Sequence, residues 1–280
     1  MIDVSFTTVA IGSAFFASIA NILARTLLKN LRSQDILGIN FLTMGATLLL
    51  ISPIFYSFEA SLLSMSLIFL IGLIDTVANF FYFKTFEKTE ASVATPMLSL
   101  APAFTFLFGW FLIDDIVSIP TLLGALAIVV LVIYFSADFK NFKQYKVATL
   151  IPAIIASVLF GISAIPAKFL LDSLDVINAP TLYMFRAGFI ALFALLFFNF
   201  SVRDLSLKQY RIIFLRGLFV IAQWLLLYYA LSLGSAGVSV TLANITPIFV
   251  FILGAIFLHE KLTIKKTISA LLILTLSLLL

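Results

Sequence analysis

The stretch Glu90-Ala-Ser-Val-Ala-Thr-Pro-Met-Leu-Ser-Leu-Ala-Pro102 continues through an apolar run that ends at Asp115. The same pattern returns 145 residues later, from Ser235 to Glu260. The aligned pairs are Ala91 and Ala236, Val93 and Val238, Pro102 and Pro247, Phe104 and Phe249, Phe106 and Phe251, Gly109 and Gly254, and Asp115 and Glu260. One segment is used twice, so the sequence predicts a fold built by duplication.

The composition places the chain in a lipid bilayer. Of its 280 residues, 63% are hydrophobic and 11% are charged, and the mean hydropathy is +1.21. Soluble domains are about half apolar and about a quarter charged. The net charge of +4 is small, and no stripe of Lys and Arg indicates nucleic-acid binding. The chain has no cysteine, which excludes disulfides and thiolate metal sites.

Apolar runs of about 20 residues predict ten membrane-spanning helices. The longest connection, at 138–147, is basic and separates the two copies. The expected fold class is an all-α integral membrane protein with ten transmembrane helices as two inverted five-helix repeats, at 1–137 and 148–280. The helices are expected near 5–28, 36–56, 62–86, 90–112, 117–136, 148–171, 178–200, 209–233, 235–258 and 262–280.

An odd number of helices per copy inserts the second copy upside down, so equivalent loops lie on opposite membrane faces. The charges of those loops are reversed accordingly. The loop after helix one carries Lys29 and Arg32, whereas the loop after helix six carries Asp172 and Asp175. The other reversed loops carry Glu59 against Arg203, Lys208 and Arg211, and Asp114 with Asp115 against Lys261, Lys265 and Lys266.

Basic residues also predict an orientation. The odd-numbered loops hold nearly all of the Lys and Arg residues outside helices, and Lys168, at a helix end, is the exception beside an even-numbered loop. Because basic loops stay in the cytoplasm, this bias predicts that both termini face outward.

Helix three carries a carboxylate, Asp75, near its middle, followed by Asn79 and Tyr82 on the same face. The corresponding level of helix eight carries Trp224 and Tyr228. Ionisable groups at this depth normally face the bundle interior or water. We interpret this face as the wall of a substrate-binding cavity; the alternative is a set of polar side chains that hold the helices together.

Two arginines offer Asp75 a structural ion pair. They are Arg186 in helix seven and Arg216 in helix eight, and the sequence does not rank them. Arg186 aligns with Leu42 at an offset of 144 residues, so this charge exists in one repeat only.

Helix one carries a polar stripe that includes Asn21 and Arg25. Arg25 lies near the helix end, where its side chain could reach the membrane surface. It aligns with Lys168, which closely follows Pro166. A proline inside a spanning helix frees a backbone carbonyl and permits a bend.

Pro102 and Pro247 stand at the centres of helices four and nine among small and polar residues such as Asn244. We predict a hinge or a cavity lining at these prolines; the alternative is plain close packing of thin helices. The acidic ends of the two segments, Asp115 and Glu260, are expected on opposite membrane faces, as symmetric anchors that close gates or cap the following helix.

Other functional classes find little support in the sequence. The single histidine, His259, has no companion ligands, so no metal site is expected. No nucleophile–base pair or phosphate-binding glycine loop is evident, which argues against an enzyme and against ATP hydrolysis by the chain.

These features resemble the EamA-type group of the drug/metabolite transporter superfamily. Two five-helix copies begin with helices that end in a basic residue, Arg25 or Lys168, and Pro180 precedes Arg186 at the start of helix seven. The repeated spacings are Pro102–Gly109–Asp115 and Pro247–Gly254–Glu260.

The resemblance implies a ten-helix secondary carrier with a central cavity between its repeats, in a bacterial inner membrane. Such carriers move amino acids, nucleotide-type metabolites or similar small polar compounds, and their termini are usually cytoplasmic, opposite to the charge bias. We expect a monomer or weak homodimer without a cofactor, coupled to a proton or ion gradient. The alternatives are a non-transporting membrane scaffold and an intramembrane enzyme acting on lipid.

Overall fold

The computed structural model describes residues 4–28, 30–88, 98–136, 147–198, 205–257 and 264–279. Within these ranges the regular structure is helical, apart from one isolated antiparallel bridge between Phe58 and Ile177. The helices are α1 (Val4–Leu28), α2 (Ser33–Ile51), α3 (Leu62–Lys88), α4 (Ala101–Ile113), α5 (Ile119–Ser136), α6 (Val147–Lys168), α7 (Ala179–Phe197), α8 (Leu207–Leu233), α9 (Ala236–Ala243), α10 (Thr246–Phe257) and α11 (Ile264–Ser277).

Seven segments in the described ranges are long and apolar enough to cross a membrane. Two further apolar helices, Ala101–Ile113 and Ile119–Tyr134, are shorter. The first eight residues of predicted helix four, 90–97, lie outside the described residues. An all-helical, multi-span architecture is therefore established, and the number of ten spans stays a prediction. The seven segments are Phe6–Leu28, Ser33–Ile54, Leu62–Glu87, Ile151–Ser173, Ala179–Phe197, Leu207–Leu233 and Ala236–Leu253.

Predicted helix nine is divided into two helices next to its central proline. A turn at Asn244 and Ile245 separates α9 from α10, and Pro247 is the second residue of α10. Proline has no N–H to donate to the carbonyl four residues before it, which is that of Ala243. The hydroxyl of Thr246 donates to this carbonyl at 2.9 Å. The interruption therefore leaves the freed acceptor satisfied.

The other two prolines behave differently from each other. Pro102 lies in the first turn of α4, where a missing N–H costs nothing. Pro166 lies inside α6, which remains helical to Lys168 and then widens into a π-helical turn, Phe169–Ser173. Such π-turns often accompany functional positions in helices.

Helix packing is the same when the two copies are exchanged. The pair α1 and α8 corresponds to α6 and α3, and both pairs are in extensive contact. The contacts of α3 with α7 correspond to those of α8 with α2, and α2 also packs on α7. The helices α5 and α11 pack on each other and share a small apolar cluster with α1 and α10. This pattern is what a pseudo-twofold axis between two repeats generates.

Equivalent glycines permit the close helix crossings. A Cβ on Gly72 of α3 would lie 2.4 Å from the Cβ of Phe189 in α7. The matching Gly217 of α8 faces Met44 of α2, where a Cβ would lie 3.2 Å from a side-chain carbon. Small residues let helix backbones approach in a membrane, where packing replaces the hydrophobic effect as the driving force.

Loops that contact each other are either both odd-numbered or both even-numbered along the chain. The loop before α3 bonds to the loop before α7, through Glu59 N–H to the Val176 carbonyl at 2.8 Å and the Asn178 side-chain amide to the Phe55 carbonyl at 2.7 Å. At the start of α2, Ser33 donates to the carboxylate of Glu87 at the end of α3. Helices that cross the membrane in alternating directions bring these loops together.

Candidate functional site

A buried ion pair lies at the centre of the bundle. The Nε of Arg186 in α7 donates to Oδ2 of Asp75 in α3, and neither side chain is exposed. This is one of the two pairings that the sequence left open. Asp75 is 13 residues into a 27-residue helix, which is about 20 Å from either end. The pair is incomplete, because Asp75 Oδ1 and both terminal nitrogens of Arg186 have no partner among the described residues.

Aromatic rings enclose the guanidinium of Arg186. Its Cζ lies 3.6 Å from the ring centroid of Trp224 and 5.5 Å from that of Tyr183. The two rings are nearly parallel, at 9°. Tyr228 meets Trp224 edge-on and is buried, yet its hydroxyl has no partner in the described chain. Cation–π contacts hold the arginine without consuming its N–H donors.

The other predicted residues of helix three make local bonds. The side-chain amide of Asn79 donates to the backbone carbonyl of Asp75 at 2.8 Å. The hydroxyl of Tyr82 donates to Oδ1 of Asn21 at 2.5 Å, which links α3 to α1. Phe160 of α6 lies edge-on to the Tyr82 ring and 6.4 Å from the Trp224 ring, centroid to centroid. The predicted residues of helices one, three and eight therefore line one continuous polar and aromatic region.

A second arginine belongs to the same region. The sequence indicated it only as a possible ion-pair partner of Asp75. Arg216 of α8 is 5% exposed, and its Cζ lies 5.1 Å from the ring centroid of Phe83 in α3. Its Nε and Nη1 are buried without a hydrogen-bond partner among the described residues. Asp75 is engaged with Arg186. The available signal in the sequence was an arginine nine residues inside a spanning helix.

The charges of this region do not cancel. Asp75 contributes one negative charge, whereas Arg186 and Arg216 contribute one positive charge each. Four guanidinium nitrogens are buried without an acceptor in the described part of the chain. Buried donors without partners are costly. The region, which we call the central cluster (Asn21, Asp75, Tyr82, Phe83, Phe160, Tyr183, Arg186, Arg216, Trp224 and Tyr228), is therefore short of acceptors.

The remaining predicted residues lie elsewhere or make other contacts. Asn244 donates its side-chain amide to the Val240 carbonyl at 2.8 Å, at the end of α9. Lys168 pairs with Asp172 at 2.8 Å, one turn later in the π-helical segment. Arg25 lies in the last turns of α1, and its side chain falls outside the described part.

Asp115 caps a helix of the opposite repeat. Its Oδ2 accepts from the N–H of Ala236 at 2.7 Å and the hydroxyl of Ser235 at 3.0 Å, at the start of α9. The left-handed backbone of Asp114, with φ of 51°, turns the chain after α4, and the N–H of Asp115 bonds the Gly109 carbonyl at 3.1 Å. The expected cap on the following helix is thus corrected to a cap on α9. Glu260 lies outside the described residues.

Comparison with known proteins agrees with this architecture. The EamA-like transporter family matches residues 6–137 and 148–280. An uncharacterized transporter of Archaeoglobus fulgidus is 24% identical over 194 residues, which cover 68% of this chain and 66% of that protein. A protein of known crystal structure superposes with a TM-score of 0.75 over 98% of this chain and 95% of its own, at 16% identity, and so shares the fold.

The family matches cover almost the whole chain and contain both copies of the proline–glycine–acid segment. The apolar spans and the multi-helix bundle make the chain a multi-pass membrane protein. The chain belongs to the EamA-like transporter family.

Proposed function

We propose that the protein is a secondary active transporter that moves a small polar metabolite by alternating access. The central cluster is the observation that carries this proposal. It combines side chains of α1 and α3 from the first copy with side chains of α6, α7 and α8 from the second. Substrate sites of inverted-repeat carriers lie near the midplane, at the interface between the repeats.

The chemistry of the cluster suits a ligand better than it suits a purely structural core. Ion pairs buried in a membrane are costly, and a structural pair is stable only when its other donors and acceptors are satisfied. Here Asp75, Arg186, Arg216 and Tyr228 all retain buried polar atoms without partners in the described chain. A polar substrate would supply those partners, while Trp224 would contact its planar or apolar part.

The hinges of the proposed movement lie at irregular points in the helices. The break before Pro247 divides predicted helix nine, and the π-turn follows Pro166 in α6. Pro102 begins α4 at the position that matches Pro247. Such points absorb changes in φ and ψ when one repeat rocks against the other. We propose that a proton or ion gradient supplies the energy, and that the chain acts in a cytoplasmic membrane as a monomer or weak homodimer.

Vesicles that contain the purified protein test the proposal. The experiment measures uptake of radiolabelled amino acids, nucleosides and sulfonium metabolites, with and without an imposed proton gradient. We expect saturable uptake of one class and an increase in rate when the gradient is applied. A scaffold protein would give no uptake of any compound, and a lipid-modifying enzyme would instead change the vesicle lipids.

The two tryptophans of the chain provide a matched pair of variants. Trp224 stacks on Arg186 in the cluster, whereas Trp110 is 58% exposed on the surface of the bundle. We expect Trp224→Ala to lower the uptake rate by about tenfold, which corresponds to losing one cation–π and packing contact. Trp110→Ala should transport normally. Equal rates for the two variants would exclude Trp224 from the site.

A further inference from the structure

We propose that the substrate carries an anionic group, a carboxylate or a phosphate, and that Arg216 binds it. This proposal rests on the proposed transport function and identifies the chemical class of its substrate. The binding chemistry is a guanidinium fork that faces two or more oxygen acceptors, an arrangement that both anions fit.

Arg216 is unusual because it is a charged side chain buried deep in a membrane-spanning helix. It is nine residues after Leu207 in α8, about 14 Å from the helix start, and 95% of its surface is buried. Arg211 of the same helix is exposed near the helix start, where a basic side chain reaches the membrane surface at no cost. Arg216 differs from Arg211, because its Nε and Nη1 are fully buried.

The described protein does not neutralise Arg216. Asp75 bonds Arg186 through Oδ2, and Glu87, one turn beyond Phe83 on α3, accepts from Ser33. The Phe83 ring offers its π-face at 5.1 Å but no lone pair to an N–H. Buried intramembrane arginines are normally paired or functional. A ligand that brings oxygen acceptors completes this site.

The surroundings also indicate the length of the ligand. Residues 216, 220 and 224 follow one face of α8, so Arg216 and Trp224 are separated by two helical turns, about 12 Å. The hydroxyl of Tyr82 donates to the side chain of Asn21 in α1, and the Tyr82 ring lies 5.3 Å from the ring of Phe83, centroid to centroid. A compound with an anionic end at Arg216 and a planar portion near Trp224 would extend through the central cluster between these two side chains.

Matched probes test the charge that the site selects. The probes are 3-phenylpropionate, phenyl phosphate, the uncharged 3-phenylpropan-1-ol and the cationic 3-phenylpropylamine, added to the purified full-length chain in detergent. We expect one or both anions to raise the Tm of the wild-type protein. The difference between their effects shows whether the site prefers a carboxylate or a phosphate. Stabilisation by the amine and by neither anion would overturn the proposal, as would no response to either anion at millimolar concentration.

Variants assign the effect to Arg216. We expect Arg216→Gln to weaken anion binding by roughly tenfold to a hundredfold, the loss of a charge-assisted hydrogen bond. Arg216→Lys should retain part of the affinity, because it keeps the charge and loses the fork. Arg211→Gln is the control on the same helix and should bind like the wild type. Unchanged binding by Arg216→Gln would exclude this residue.

A measurement without ligand covers the case in which Arg216→Gln does not fold. Arg216→Met should be at least as stable as the wild type, because it removes an unpaired buried charge. A large fall in Tm for this variant would show that Arg216 is a structural residue. Binding in detergent requires no transport, so anion binding that depends on Arg216 without flux in vesicles would refute the proposed function and leave only the anion site at Arg216 standing.

Discussion

At the scale of single residues, the central finding is that a mid-helix carboxylate is paired rather than free. A free carboxylate at the position of Asp75 would attract a cationic or amino group or carry a coupling proton, so Asp75→Asn would impair transport without affecting expression. The structure places Arg186 against it, so the region is cationic overall. Replacing Asp75 alone leaves Arg186 buried and uncompensated, which changes stability as well as binding.

A double-mutant cycle separates these effects. We expect Asp75→Leu or Arg186→Met alone to destabilise the fold by about 3–5 kcal/mol, because each leaves an unpaired buried charge. The double variant, with an apolar pair, should recover most of the stability but should not transport. The Tm in detergent and uptake into vesicles provide the two measurements. Transport at the wild-type rate by the double variant would exclude the pair from the site.

At the scale of helices, the duplicated segment has a definite structural role. Its proline begins a helix and its acidic residue, Asp115, caps α9 of the other repeat. This connection joins two helices that contact each other across the pseudo-symmetric interface. The equivalent glycines Gly72 and Gly217 set the crossing distance of the neighbouring helices. The close crossings are thus common to both copies, whereas the cap is observed for the first copy, at Asp115.

The cap at Asp115 has a measurable value. Asp115→Ala removes the acceptor of both the Ala236 N–H and the Ser235 hydroxyl, so we expect a loss of about 0.5–2 kcal/mol. Asp115→Asn keeps an acceptor oxygen and should retain most of the stability. Thermal unfolding in detergent compares the variants. If Asp115→Ala melts with the wild type, the cap does not stabilise α9.

The helix crossing at Gly72 is tested by a pair of identical substitutions. Gly72→Ala would place a Cβ against Phe189 and push α3 from α7, so we expect a loss of about 1–3 kcal/mol. Gly188→Ala in α7 meets nothing within 4 Å and adds helix propensity. Its Tm should equal or exceed that of the wild type. A Gly72→Ala variant as stable as Gly188→Ala would contradict the crossing.

At the scale of the whole molecule, the loop contacts and the loop charges agree on the direction in which the helices cross the membrane. Loops of the same parity meet, as Glu59 does with Val176 and Asp115 with Ser235. The basic residues concentrate in the loops of odd parity. Both observations fit helices that alternate in direction, with equivalent loops of the two repeats on opposite faces.

The orientation of the molecule follows from the same bias. Because the odd-numbered loops are basic, we expect them in the cytoplasm and both termini outside. Alkaline phosphatase fused after Leu280 should then be active in whole cells, and a green fluorescent protein at the same place should be dark. Fusions at loop 138–147 provide the control, since they should show the opposite pattern. A fluorescent C-terminal fusion would place the termini inside, as the family resemblance suggests.

Much of the architecture was readable from the sequence because its causes are local or periodic. Apolar runs mark spans through their length, the offset of 145 residues marks the duplication, and loop charges mark the inversion. Most described helices begin and end within a few residues of the predicted positions. The exceptions are helix two, which ends at Ile51, helix four, whose described part begins at Ala101, and helix nine, which is divided after Ala243. The same local signals also selected Asp75, Tyr82 and Trp224, since polar groups in an apolar helix are conspicuous.

Tertiary structure alone decided how those groups are combined. The sequence contains two arginines that could pair with Asp75 and does not rank them, because both are more than 100 positions away. The rotation of α7 and α8 in the bundle depends on packing at Gly72 and Gly217. That packing brings Arg186 onto Asp75 and leaves Arg216 without a partner in the described chain. The local sequence therefore determined which charges are in the membrane, and the crossing of the helices determined which of them are paired in the described chain.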